Sequence, residues 1–274
     1  MNYHIDNNGW TIILDNFDFS TATQQDINQI AKLLSTNLVV VARTQNLTVE
    51  DELRIFSMFD SPYTFNPETE ADSYVDGCVL PGSDGYILRV TAKLDADGKP
   101  GFAANDGDAI WHCDNPLRPV RKSLTWLYSV AGSVGSKTSW INNALSYNDL
   151  DQATKDTIED LKCQMCHYTD KEPSSYAHTP TLVYTNNAGI RGLYFPFESI
   201  LRFTDISETD SKLLIEKLIA HVTQEKYMYH HNWQDGDVIL TEQWLSIHNR
   251  WPFKDLANRL LHRAIFDFPK QEYK

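Results

Sequence analysis

Leu124-Thr125-Trp126-Leu127-Tyr128-Ser129-Val130 is the stretch that decides the fold class. Its aliphatic and aromatic residues are typical of a strand packed inside a protein. On both sides of this stretch, short apolar runs alternate with residues that are typical of turns. They predict further strands at Tyr86–Val90, Leu182–Tyr184, Gly192–Phe195, Asp237–Thr241 and Leu260–Phe266. Many short strands predict a mainly β fold with flanking helices, built on a double-stranded β-helix core of the jelly-roll, cupin-like kind.

In the N-terminal part of the chain, about residues 1–85, the sequence pattern predicts a mixed α/β portion that packs on that core. Strands are expected at Trp10–Leu14 and Leu38–Ala42, helices after the caps at Ser20–Thr23 and from Thr48 to about Phe59, and later helices at Tyr147–Cys163 and Ser207–His221. No repeat or linker divides the sequence. We therefore predict one domain over residues 1–274.

Composition excludes several classes of function. The 274 residues carry a formal net charge of −13, which opposes nucleic-acid binding because that function requires a basic surface. No run of eighteen apolar residues is present, and the first residues lack the basic and apolar regions of a signal peptide. The sequence thus predicts a soluble, cytoplasmic protein with no membrane partner. Self-association stays open.

Cys163-Gln164-Met165-Cys166-His167 matches the pattern of c-type haem attachment and also offers three zinc ligands. Haem attachment requires export, and zinc needs a fourth ligand, for which His178 is the nearby candidate. The simpler interpretation, which we favour, is the end of a helix followed by a loop.

Trp111-His112-Cys113-Asp114 is the strongest candidate for chemistry. In an extended strand, residues two apart face the same side, so His112 and Asp114 could bind one metal ion. The triplet alone is weak, because about one His-X-Asp is expected by chance and His4-Ile5-Asp6 is a second example.

Near the C-terminus, His248 is followed eleven residues later by Arg259 and then by Arg263. If this segment is a strand, the two arginines lie on one side about 13 Å apart. Guanidinium groups on an inner face are costly unless anions meet them. His262 alternates with Arg263, so we expect it to face away.

Several segments, in order, resemble the taurine dioxygenase family of Fe(II)- and 2-oxoglutarate-dependent oxygenases. The matching segments are Asn37–Thr48, Trp111–Asp114, Gly135–Trp140 with the pattern Gly-x-x-Thr-x-Trp, Ala144–Leu150, Trp233–Asp237 with the pattern Trp-x-x-Gly-Asp, and Leu261–Ala264. They span most of the chain, and ordered matches are far more specific than one triplet.

The resemblance implies that His112, Asp114 and His248 bind Fe(II), leaving coordination positions for 2-oxoglutarate and O2. It implies that Arg259 pairs with the distal carboxylate of 2-oxoglutarate and that Thr138 adds a hydroxyl donor. The alternatives are a surface ion pair for Arg259 and a backbone-satisfied β-turn hydroxyl for Thr138. The implied reaction converts 2-oxoglutarate to succinate and CO2 while a substrate C–H bond is hydroxylated.

The substrate side is less determined. By its position Arg263 resembles a family arginine that contacts an anionic substrate group, although it could instead support Arg259 or close the barrel mouth. Asp108 stands where the family has an asparagine, and an acid there favours a small zwitterionic or amine-bearing substrate over taurine. Phe195 is a candidate for an aromatic wall of the substrate pocket, although it could instead belong to the hydrophobic core. Asp114 favours hydroxylation over halogenation, because related halogenases have a small residue there. Desaturation, cyclisation, dealkylation and a non-catalytic jelly-roll binding or sensor protein remain alternatives.

Overall fold

The computed structural model describes residues 1–65, 77–94, 97–98, 101, 110–114, 116–117, 122–167, 171, 173, 179–254 and 258–270. The helices are Gln24–Asn37 (α1), Val49–Phe56 (α2), Asn143–Asn148 (α3), Gln152–Ile158 (α4) and Glu208–Val222 (α5). The strands are Asn2–Ile5 (β1), Ile12–Asp15 (β2), Val39–Ala42 (β3), Leu88–Val90 (β4), Leu124–Ala131 (β5), Lys137–Asn142 (β6), Cys163–Met165 (β7), Val183–Thr185 (β8), Arg191–Leu193 (β9), Ile200–Phe203 (β10), Met228–Asn232 (β11), Val238–Glu242 (β12), Ser246–Arg250 (β13) and Leu260–Phe266 (β14). Short 3-10 turns lie at Phe19–Thr21, Phe197–Ser199 and Glu225–Tyr227.

Two facing sheets form the core and confirm the predicted jelly roll. The major sheet has the strand order β1-β2-β3-β12-β5-β14-β4, and the minor sheet has the order β11-β6-β13. Within the major sheet β2 and β3 are parallel, and the other pairs are antiparallel. Side chains from both sheets, such as Leu127 and Ile239 opposite Trp140 and Tyr229, pack together between them. We call the space between the sheets the interior.

Helices α1 and α2 cover the outer face of the major sheet. Ile27 and Ile30 of α1 and Phe56 of α2 are buried against Trp126 of β5. Both helices begin at the predicted caps, since Thr23 and Thr48 each form a reciprocal capping box with the aspartate three residues later. The two N-terminal helices therefore pack against the major sheet through a shared apolar cluster.

Helices α3 and α5 contribute to a second apolar layer on the outer face of the minor sheet. In that layer Ile141 and Ile247 pack with Tyr147 of α3 and Leu218 of α5. Because side chains alternate along a strand, the neighbours Trp140 and His248 face the interior. The interior is thus enclosed by packed elements on both sides.

The predicted helix over Tyr147–Cys163 is wrong. Asp151 caps a new helix by accepting a hydrogen bond from the Thr154 amide, so α3 and α4 are separate. Cys163 begins β7, which pairs with β10, and therefore is not the end of a helix. All four cysteines are buried. His178 lies outside the described residues.

The strands predicted from apolar patterns are found within two residues of their predicted ends. Strands β1, β6, β7, β10, β11 and β13 were not predicted. The second His-X-Asp triplet lies on β1, where exposed His4 contacts Asp15. No helix in the described parts of the chain is long and apolar enough to cross a membrane.

A buried polar contact joins α2 to the major sheet. Glu52 is fully buried and accepts hydrogen bonds from Trp126 Nε1 at 3.0 Å and from His262 Nδ1 at 2.6 Å. This contact confirms that His262 faces away from the interior, toward the helices.

Substituting Glu52 with alanine should lower the free energy of unfolding by about 3–5 kcal/mol, because two buried donors lose their acceptor. Urea denaturation measures this loss. The control is Glu50→Ala, at an exposed position of the same helix, which should change stability by less than about 0.5 kcal/mol. Equal effects at both positions would contradict this role for Glu52.

Candidate active site

Three side chains with metal-ligating atoms meet in the interior. One ligand atom from each of His112, Asp114 and His248 lies within 4.8 Å of the others, and among the described residues no other group of three His, Cys, Asp or Glu does so. The residues that the sequence predicts as a metal triad are therefore brought together.

The backbone brings the two histidines side by side. The His112 amide donates to the His248 carbonyl at 3.0 Å, and the His248 amide donates to the His112 carbonyl at 2.7 Å. This pair is an isolated bridge, so the predicted extended strand at His112–Asp114 is wrong. Asp114 is instead fixed by its amide, which donates to Gln243 Oε1 at 2.6 Å.

Each imidazole is oriented by a neighbour. His112 Nδ1 lies 2.6 Å from the Ile110 carbonyl. Because a carbonyl only accepts, Nδ1 carries the proton, and the Nε2 lone pair is left for a metal. The His248 ring stacks on Trp140, with centroids 6.0 Å apart and planes at 28°.

Both oxygens of the Asp114 carboxylate are held. Oδ2 accepts from the Thr125 hydroxyl at 2.8 Å, and Oδ1 pairs with the Arg263 guanidinium at 2.8 Å. Burial raises the pKa of Asp114, but Arg263, the two histidines and Thr125 together lower it by more, so the net pKa is well below its usual range. Asp114 is ionised at neutral pH.

The imidazoles are neutral at the same pH. Burial lowers the pKa of His112, and burial followed by the charge of His112 lowers the pKa of His248 to about 3. Two neutral imidazoles and one carboxylate are the protonation state that a divalent cation requires. The donor set thus fits Fe(II).

Thr138 and Arg259 have environments suited to an anion. Thr138 lies on β6 between two paired strands and accepts a hydrogen bond from Trp233 Nε1 at 2.9 Å, so the β-turn alternative is wrong. Because an indole only donates, the Thr138 hydroxyl keeps its own proton for a ligand.

Arg259 is 2% exposed, and its Nε is buried without a hydrogen-bond partner. Burial, and then the charge of Arg250, lowers the pKa of Arg259 to about 9. The surface ion pair considered for Arg259 is wrong, because the side chain is buried. A buried guanidinium with an unused donor fits a ligand carboxylate.

The three residues predicted to bind the substrate have different surroundings. Arg263 contacts Asp114 and lies over the Phe65 ring, with 5.8 Å between its Cζ and the ring centroid. Phe195 is fully buried with Phe197 in the apolar layer outside the minor sheet. Asp108 lies outside the described residues.

Sequence reasoning missed Thr125, Gln243 and Arg250. Thr125 and Arg250 could have been found from the alternation of side chains along strands, since Arg250 is two residues beyond His248 on β13. The contact of Gln243 with Asp114 has no local sequence signal, because 129 residues separate them.

The sequence matches a protein-family model over most of its length. The model of the taurine catabolism dioxygenase TauD, TfdA family matches residues 7–265. The chain belongs to this family. Members of the TauD, TfdA family use Fe(II), 2-oxoglutarate and O2, and the protein is a 2-oxoglutarate-dependent dioxygenase.

Curated relatives and solved structures match the chain over most of its length. Pentalenolactone F synthase from Streptomyces arenae is 29% identical, covering 89% of this chain and 87% of its own. The (S)-phenoxypropionate/alpha-ketoglutarate-dioxygenase of Sphingobium herbicidovorans is 22% identical, with coverages of 85% and 84%. A taurine dioxygenase from Burkholderia xenovorans superposes with a TM-score of 0.76 at 20% identity, covering 93% of this chain and 85% of that one. AAD-2 in complex with Mn(II) and N-oxalylglycine gives a TM-score of 0.75 at 17% identity over the full length of both chains. The two structures establish a shared fold.

The histidine pKa values predict how stability depends on pH in the metal-free protein. Unfolded histidine titrates near pH 6.5, whereas folded His248 titrates near 3, so between these values the unfolded state binds more protons. The contribution is absent above pH 6.5. Below it, stability falls by at most about 1.4 kcal/mol per pH unit for this histidine.

Urea denaturation from pH 7.5 to 5 measures this slope, and His248→Gln should flatten it. The control, His4→Gln on exposed β1, should keep the wild-type pH dependence. An unchanged slope in His248→Gln would contradict the assignment of the shift to this site.

Proposed function

We propose that His112, Asp114 and His248 bind Fe(II), that Arg259 and Thr138 hold the distal carboxylate of 2-oxoglutarate, and that the enzyme hydroxylates a C–H bond of a small polar molecule. The observation that carries this proposal is the convergence of two neutral imidazoles and one ionised carboxylate within 4.8 Å in the interior. When bound, iron and 2-oxoglutarate supply the oxidising power for the reaction with O2.

The chain's own contribution is orientation. The hydrogen bonds of His112 to Ile110 and of Asp114 to Thr125 fix two of the three ligands before metal arrives. Such outer contacts strengthen metal binding by limiting the conformations of the ligands. The salt bridge from Arg263 keeps Asp114 ionised.

Arg263 supports a substrate with an anionic group. A guanidinium has five N–H donors, so Arg263 can contact Asp114 and also a carboxylate or sulfonate of a substrate beside the metal. The name of the phenoxypropionate dioxygenase also indicates an anionic substrate for that relative. We extend the proposal to a zwitterionic or amine-bearing molecule held between Arg263 and Asp108, a role for Asp108 that rests on sequence alone.

Anaerobic addition of Fe(II) and 2-oxoglutarate tests the metal site. The wild-type protein should develop the weak visible charge-transfer band of chelated iron, and His112→Ala or Asp114→Ala should abolish it. His4→Ala is the matched control and should retain the band. If the wild type shows neither a band nor succinate release, the proposed function is wrong.

Gly132 provides a separate test of Arg259. Its backbone has a φ of +66°, and a Cβ there would overlap the Asn258 carbonyl oxygen and lie 2.9 Å from the Arg259 amide nitrogen. We expect Gly132→Ala to displace Arg259 and to weaken 2-oxoglutarate binding by about 10-fold, the scale of one charge-assisted hydrogen bond. Titration of the charge-transfer band measures the affinity.

The control for Gly132→Ala is Gly9→Ala, which shares a positive φ of +80° but has open space around its Cβ. It should strain its own turn and leave 2-oxoglutarate affinity unchanged. Normal affinity in Gly132→Ala would contradict the role given to Arg259.

A panel of small acids and amino acids, assayed by substrate-stimulated succinate release, tests the substrate class. Arg263→Gln should reduce stimulation by anionic substrates, and Asp108→Asn should reduce stimulation by those that also carry an amine. Unchanged activity of Asp108→Asn with an amine-bearing substrate would disprove the amine contact.

A further inference from the structure

A second buried arginine lies beside the proposed 2-oxoglutarate site. Arg250 is 6% exposed and lies on β13, two residues beyond His248. Since strand residues two apart share a face, Arg250 faces the interior on the same side as this proposed metal ligand. The strand register places Arg250 directly opposite Thr138 on β6.

Arg250 also acts electrostatically on Arg259. Burial is the larger cause of the lowered pKa of Arg259, and the positive charge of Arg250 is the second cause. Like charges repel strongly away from water, so two such guanidinium groups favour an anion between them.

We propose that Arg250 is a second cosubstrate-binding arginine, which together with Arg259 and Thr138 surrounds the distal carboxylate of 2-oxoglutarate and selects dicarboxylic 2-oxo acids over monocarboxylic ones. This inference rests on the proposed function, since it assumes that Arg259 and Thr138 hold 2-oxoglutarate. It adds a residue that the sequence comparison with the family did not assign.

The selectivity follows from the chemistry of the two ends of the cosubstrate. A 2-oxo acid group chelates a metal whatever lies at its other end, whereas the arginines contact only a distal carboxylate. Loss of Arg250 should therefore weaken the binding of 2-oxoglutarate and spare 2-oxovalerate, which has the same chelating group without the second carboxylate. A merely structural role would weaken both ligands alike.

The experiment is an anaerobic titration of the Fe(II)-loaded protein with each 2-oxo acid, followed by the charge-transfer band. Arg250→Gln should raise the dissociation constant for 2-oxoglutarate by about 10–100-fold and change that for 2-oxovalerate by less than about twofold. Arg259→Gln should show the same selectivity. Arg202→Gln, at a partly exposed position on β10, is the control and should bind both ligands like the wild type.

Arg250→Lys tests the assignment if Arg250→Gln does not fold. Lysine keeps the charge but loses the planar fork, so 2-oxoglutarate binding should weaken by about 3–10-fold with 2-oxovalerate again spared. Wild-type affinity for 2-oxoglutarate in either folded variant, or equal losses for the two ligands, would overturn the proposal for Arg250 alone. A wild-type protein without any band would instead overturn the proposed function and this inference with it.

Discussion

Keeping the Asp114 carboxylate charged inside the jelly roll is the constraint on which the site depends. An isolated carboxylate there would take up a proton, because burial favours its neutral form. Arg263 from β14 and Thr125 from β5 prevent this by each binding one oxygen. Two neighbouring strands of the major sheet thus set the charge state of a residue that lies on a loop.

The two faces of β14 have different roles. Arg263 faces the interior and contacts Asp114, whereas His262 faces the helices and contacts Glu52 of α2. One strand therefore connects the anchoring of the N-terminal helices to the charge of the site. A shift in the register of β14 by one residue would exchange these side chains and disrupt both contacts.

The sequence predicted the jelly roll because the strands of the major sheet, such as β5 and β12, carry large apolar residues on both faces. It missed β6 and β13 of the minor sheet for a physical reason. Their inward positions carry polar residues such as Thr138, His248 and Arg250, so the alternation that marks a half-buried strand is absent. The two strands that carry Thr138, His248 and Arg250 are therefore ones that a hydrophobic pattern does not find.

The family motifs predicted some site residues well and could not predict others. Motif order was sufficient to select His112, Asp114 and His248, which the structure brings together. Motifs could not identify Gln243, whose contact with Asp114 spans 129 residues, or place Phe195, which packs with Phe197 in the layer outside the minor sheet. Long-range packing decides such positions, and a single sequence does not record it.

A crystal structure with Mn(II) and N-oxalylglycine tests the proposed metal ligands and the role of Arg259 most directly. Anomalous scattering locates the metal. We expect one Mn(II) about 2.2 Å from the imidazoles of His112 and His248 and from a carboxylate oxygen of Asp114, with the distal carboxylate of the analogue against Arg259. Metal bound instead at Cys163, Cys166 and His167, or an analogue that does not contact Arg259, would contradict it.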